Sequence, residues 1–559
     1  MALTIMTTSS DEEKNQTISA SEHDSEYDGG CVEHKALRHV AGKIPWFLFI
    51  ICVVEFGERF VYLGISGPLQ NYIQRPYRPN GLPGALGRGQ SVGVALGDFF
   101  KFWSYFCVVL GAVVADQYLG KYRTILAASP IYISGLVILV CTATPVAIKA
   151  GASMGGLVTA MVLIGLGTGG LKACIAPLCG EQNTDHHKQL KTLKSGETVV
   201  VDPELTTARI FLWYYWAANI GGLSTLMTVA IEKEASFWLA YLLPLLVFCV
   251  VLAIFIAFSK RINKSGPTGS PVLDAIRTLS ISMKEKGLDN SKPSVLCENG
   301  RLQEHKFAQA SHYTDNYVEE IKRGLGACKL FLLFPFYFLC WTQIFNNLIS
   351  QAGSMKLGGT PNDMMQNLET IFMLTFIPIL DLLVYPALRR FNINISPLRR
   401  ILAGFFCSSM AMLWACVLQY FIYNSPANSI NVWIQAPAYV FGALSEILVI
   451  VTGLEVAFVK APANLRVLVS SVFWVAIAAG AALGIALSPV SKDPYMVWTY
   501  AGLSCGVFVA GCVLGICFRH SLQRDSVPVV VGIEGGSTSN TTAEFAGKDG
   551  LDALAAKPA

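Results

Sequence analysis

Apolar runs of about 20 residues, each long enough for a hydrocarbon core of ~30 Å, recur about twelve times along this chain. They fall near 44–66, 92–115, 124–142, 154–178, 208–231, 237–258, 328–350, 366–388, 399–422, 432–459, 465–487 and 496–518. Water cannot be the main solvent of such a sequence: 53% of its 559 residues are hydrophobic and 14% are charged, against roughly 25% charged in soluble domains. The chain reads as an all-α, polytopic membrane protein with about twelve transmembrane helices.

Six charged side chains nevertheless lie inside those runs: Glu55, Glu58, Arg59, Lys172, Glu369 and Glu455. A charge at bilayer depth costs roughly 2.5–3.5 kcal/mol on insertion scales, so charges kept there mark an ion or substrate path. Residues three and four apart share a helix face, which makes Glu55, Glu58, Arg59 and Tyr62 one polar stripe on the first run. An acid beside a base in oil is poised to gain or lose a proton. A static ion cluster is the other reading, although two acids against one base leave a surplus acid that a structural pair does not need. On the fourth run Lys172 follows Gly165, Gly167, Gly169 and Gly170, which allow close helix packing. It needs an anion, either Glu58, Glu55 or a substrate carboxylate; snorkelling towards the membrane surface is the bland alternative.

The polar stretch 260–326 divides the chain into two sets of six runs. The expected organisation is a cytosolic tail (1–43), an N-terminal six-helix bundle (44–259), a cytosolic linker (260–326), a C-terminal six-helix bundle (327–518) and a disordered cytosolic tail (519–559). The acidic first forty residues lack the basic and apolar regions of a signal peptide, and Lys121, Arg123, Arg389, Arg390, Lys460 and Arg466 fall in connections on the same side. Both termini are therefore expected in the cytosol. Asp116 with Arg123, and Asp381 with Arg389 and Arg390, stand at matching positions in the two halves. They are read either as gating pairs of a duplicated six-helix unit or as ordinary positive-inside anchoring.

Other classes find little support. The fifteen cysteines are scattered singly, and the adjacent His186 and His187 lack a ligand set, so no metal site is expected. No Ser/His pair or cofactor motif suggests an enzyme. The net charge of +4 is explained by the membrane topology, which leaves no case for a nucleic-acid partner.

Several motifs occur in order: Glu55-Phe-Gly-Glu58-Arg59-Phe60, Ala115-Asp116 to Lys121-Tyr-Arg-Thr-Ile, Phe211 to Tyr215 with Asn219-Ile-Gly221, and Thr452-Gly-Leu-Glu455 to Lys460-Ala-Pro462. Over residues 38–518 the chain resembles the proton-dependent oligopeptide transporter family, notably its fungal di- and tripeptide permeases. The resemblance implies a major-facilitator fold with a central cavity that takes a short peptide and a proton, and no cofactor beyond the proton. It implies Arg59 and Lys172 at the peptide carboxylate, Glu455 at its ammonium, and Glu55 and Glu58 in proton coupling. Tyr62, Tyr105, Tyr215 and Asn219 would contact the peptide backbone, and Trp474 would form a pocket wall.

The sequence departs from the family pattern on span seven, where Thr342 and Gln343 stand in place of an acid. Glu369 on span eight is read as its replacement in proton coupling or as an addition to the ammonium site. Asp98 stands where animal relatives have histidine, either at a site or in the headgroup layer. A monomeric plasma-membrane symporter of di- and tripeptides is the expected function. Another solute, such as nitrate or a modified peptide, and a non-transporting peptide sensor are the alternatives.

Overall fold

The computed structural model describes residues 39–40, 42, 44, 46–77, 83–182, 189–192, 198–201, 203–264, 266–267, 269–310, 313–384, 387–388, 391, 396–454, 456 and 466–518. Expectations that fall elsewhere, including those for Glu455 and the His186–His187 pair, lie outside these residues, as does the side chain of Asp381.

The N-terminal bundle comprises α1 (Leu48–Gln74), α2 (Gln90–Val114), α3 (Lys121–Thr142), α4 (Ser153–Gly180), α5 (Pro203–Gly222), α6 (Ser224–Glu234) and α7 (Phe237–Ala257). Its core gathers Tyr132, Ile164, Tyr241 and Phe248 among many others. The linker carries α8 (Pro271–Lys284) and α9 (Pro293–Glu298), and α10 (Asp315–Cys328) leads into the second bundle. There follow α11 (Phe334–Thr342), α12 (Asn347–Ala352), α13 (Asn367–Ile379), α14 (Pro397–Asn424), α15 (Ala436–Glu446), α16 (Arg466–Leu487) and α17 (Met496–Cys517). Phe334, Phe338, Phe405, Phe473 and Tyr500 centre the second core, into which Tyr105 reaches from the first bundle.

Nine helices among the described residues are long and apolar enough to cross a membrane. At the places expected for the first, fifth and eighth spans, α1 is interrupted by three charges, α5 and α6 meet at Leu223, and α13 runs into a π-helical turn. The seventh span is broken too, by a 3-10 turn at Gln343–Phe345. A freed backbone in oil needs polar partners, and Lys101 Nζ supplies one to the Thr342 carbonyl at 3.2 Å. The fold adds a small sheet to the helices: β1 (His39–Val40) pairs in parallel with β3 (Thr198–Val201), which pairs antiparallel with β2 (Gln189–Thr192).

The bundles touch through α2 and α16, and through a polar seam at the end away from the linker, called here the far end. Asn71 and Asn362 exchange amide hydrogen bonds of 3.0 and 2.9 Å. Gln70 donates to Ser350 at 3.1 Å, and Gln90 donates to Asn347 at 3.0 Å. At the linker end α8 packs Val272 and Ala275 against Ile321, Leu468, Val109 and Val113.

Candidate transport site

The stripe on α1 is assembled as its spacing requires. Arg59 Nε donates to Glu55 Oε1 at 2.9 Å and lies 3.9 Å from Glu58 Oε2, while Lys172 Nζ stands 3.5 Å from Glu58 Oε1. Both glutamates are fully buried. Lys172 does not snorkel: its side chain is 7% exposed, and its ammonium lies 4.3 Å from the centre of the Tyr62 ring and 5.5 Å from that of Tyr105. Cation–π contact of this kind holds the charge once water is excluded. Tyr105 stacks on Trp474 at 5.6 Å with the rings 9° apart, so the second bundle forms part of the same wall.

Gly221 sets the position of Arg59. A Cβ there would meet the Phe56 carbonyl oxygen at 2.6 Å and the Arg59 Cβ at 2.9 Å, so only glycine lets α5 approach α1 this closely. Two turns earlier in the chain, Tyr215 is 40% exposed and sets its hydroxyl 4.0 Å from the sulfur of Met373 on α13. Asn219 is buried and donates to the Tyr215 carbonyl at 2.8 Å. That bond fixes α5 itself.

The second bundle brings two acids to this place. Glu369 on α13 is buried, and its carboxyl group is in hydrogen-bond contact with that of Glu446, the last residue of α15. A bond between two carboxyl groups needs a proton on one of them. Trp341 Nε1 donates to Glu446 Oε2 at 3.1 Å, and the charge of Glu446 is within reach of Arg59. Glu446 was not among the sequence candidates. It stands nine residues before Glu455 in the same apolar run, and sequence alone does not say which of the two glutamates meets the substrate.

Asp98 lies inside the protein and not in a headgroup layer: it is fully buried, accepts from Asn346 Nδ2 at 2.6 Å and stands 3.8 Å from Lys101. Lys101, also absent from the sequence candidates, is within electrostatic reach of Glu369. At span seven Thr342 Oγ1 and Gln343 Nε2 both donate to the Leu339 carbonyl at 3.0 Å, a backbone role. Among the described residues the array thus contains five acids (Glu55, Glu58, Asp98, Glu369, Glu446) and three bases (Arg59, Lys101, Lys172). Two protons make it neutral.

The gating candidates are dispersed. Asp116 is half-buried in a π-helical turn, Ala115–Leu119, where its carbonyl accepts from the Gly269 amide. Arg123 is exposed, and the neighbouring Lys121 makes the ion pair, with Glu181.

Two helical bundles that bury acids and bases where they meet define a transporter of the major-facilitator class. Comparison with known proteins is in accord. The POT family pattern matches residues 122–503, and the chain belongs to the POT family. It is 42% identical over 502 residues to the probable peptide transporter ptr2 of Schizosaccharomyces pombe, covering 87% of this chain and 80% of that one. To the peptide transporter PTR2 of Saccharomyces cerevisiae it is 38% identical over 530 residues, covering 91% and 86%. The crystal structure of the POT family transporter PepTSo superposes with a TM-score of 0.68 at 21% identity, covering 87% of this chain and all of that one.

Proposed function

We propose that this protein is a proton-coupled symporter that imports di- and tripeptides by alternating access. The observation that carries the reading is the array itself: Arg59 and Lys172 lie on one bundle, Glu446 and Glu369 on the other, and Arg59 is within electrostatic reach of Glu446. A zwitterionic peptide has variable side chains and fixed termini, so opposite charges on the two halves grip its ends and ignore its sequence. Arg59 and Lys172 take the carboxylate. Glu446 takes the ammonium, with Glu369 beside it.

Proton coupling follows from the occupancy of the bases. Glu55 and Glu58 hold Arg59 and Lys172. A proton on Glu58 removes the anion facing Lys172 and frees that ammonium for the substrate carboxylate. Proton and peptide therefore favour each other's binding. One proton entering down ~100 mV gains about 2.3 kcal/mol, and a pH unit adds about 1.4, enough for accumulation of several hundred-fold. We place the far end outside the cell, the linker and both termini in the cytosol, and the protein in the plasma membrane as a monomer. The test is uptake of a labelled dipeptide into liposomes holding the purified protein. Uptake that rises with an inward proton gradient is the expected result; binding without uptake would identify a sensor instead.

A further inference from the structure

Two more acids are buried at the far end, one in each bundle. Glu232, in the last turn of α6, is 4% exposed, and Asp363, in the 3-10 turn Asn362–Gln366 ahead of α13, is 1% exposed. Neither carboxyl oxygen of Glu232 receives a hydrogen bond from an N–H or O–H group, and Asp363 Oδ2 is equally bare. The two carboxyl groups nonetheless stand in hydrogen-bond contact with each other. Without a proton between them that contact is a clash of like charges in a medium too poor in water to screen it.

The surroundings offset only part of the pair's charge. Arg75, at the end of α1, feels both acids but makes no ion pair with either among the described residues. Lys233 turns away to donate to the Gly359 carbonyl at 2.6 Å, and Glu234 is exposed. The Asn71 amide, which exchanges hydrogen bonds with Asn362, also reaches both acids, but it is neutral and brings no countercharge. From α7 the pair is faced by Tyr241, whose buried hydroxyl receives and makes no hydrogen bond.

We propose that Glu232 and Asp363 bind one proton between them across the bundle interface, and that this proton latches the far end shut. The site is distinct from the Glu55, Glu58 and Lys172 cluster, and the latch rests on the reading that the bundles alternate in access. Its sign is fixed. The closed far end holds the shared proton more tightly than the open one, so acid favours closure and alkali favours opening. An inward proton gradient then acts on the gate as well as on the substrate cavity.

The experiment measures the gate directly. The full-length protein in nanodiscs carries spin labels on noncanonical amino acids at Tyr77 and Asn428, exposed residues on far-end loops of opposite bundles. In wild type the distance between them lengthens as pH rises from about 5 to about 8, a range into which burial lifts a carboxyl group. Glu232→Gln and Glu232→Gln/Asp363→Asn place an amide donor where the proton was, so both hold the short distance at every pH. A wild type without a pH response, or either variant with the wild-type response, overturns the latch. Asp363→Asn alone serves in the same way should the double variant fail to fold. Dipeptide uptake by the same preparations reports separately on the transport reading: a flat distance profile with uptake intact leaves that reading standing, and a full latch without uptake leaves the latch.

Discussion

Lys172 illustrates how little separates a structural ion pair from a working one. It stands 3.5 Å from Glu58, with the rings of Tyr62 and Tyr105 beside it and Arg59 and Glu55 within electrostatic reach. Replacing Glu58 by glutamine keeps the shape and removes the charge a proton would cancel. The expected outcome is loss of proton-driven accumulation with dipeptide counterflow retained; the liposome assay with and without a pH gradient checks it. For Glu446→Gln, loss of a charge-assisted contact worth about 1.5–3 kcal/mol weakens zwitterionic dipeptides by roughly 10- to 100-fold, while N-acetylated dipeptides change little. Glu455→Gln run in parallel shows which glutamate of the tenth span meets the ammonium. The α1 stripe and Lys172 were legible in the sequence because helical spacing is local and charges in oil are conspicuous. Glu446 was not, since it sits in the same run as Glu455 and only tertiary packing decides which one looks inward. Glu232 and Asp363 escaped for a different reason: they lie at span ends, where charge is ordinary.

At the scale of elements, the two halves repeat a detail that composition only hinted at. Asp116 is the second residue of the π-helical turn Ala115–Leu119, and Asp381 is the second residue of the turn Leu380–Val384. A third such turn, Ile447–Val451, comes directly after Glu446. One extra residue per turn rotates the chain beyond it about the helix axis, and here it does so beside acids at corresponding or functional places. The segment between the bundles also has more structure than its polar composition suggests. Val272 and Ala275, three apart on α8, are the periodic signal for the face that meets the bundle ends. Further along, hydrogen bonds from His305 at 3.0 Å and Arg301 at 2.9 Å hold the Glu285 carboxyl below the usual carboxylate range. A carboxylate with a depressed pKa stabilises its fold above its unfolded value, about 4.3, and loses that contribution as pH falls through the folded value. Amide hydrogen exchange should therefore leave residues 285–305 protected at neutral pH and show them opening below about pH 4.

For the whole molecule, the positions of the long helices followed from apolar length alone, since each crossing of the bilayer is a local requirement. Which end of the paired bundles is bridged did not follow, because hydrogen bonds such as Asn71 to Asn362 join residues far apart in the chain and use side chains with no distinctive pattern. That seam sets the resting balance between the two ends. Its bonds are neutral, so each contributes about 1 kcal/mol to the closed far end, independently of pH. Asn71→Ala leaves the Asn362 amide without its partner across the interface, and Gln90→Ala removes the bond to Asn347. Together they should cost the closed form about 2 kcal/mol, a shift of roughly thirty-fold in the closed-to-open ratio. The distance between labels at Tyr77 and Asn428 reads this directly. The long-distance population rises by the same factor at acid and alkaline pH, so its pH profile moves in level and keeps its shape, whereas removing the Glu232–Asp363 proton flattens the profile. A change of shape in Asn71→Ala/Gln90→Ala would mean that the amide seam and the acid pair form one titrating unit and not two independent contributions to closure.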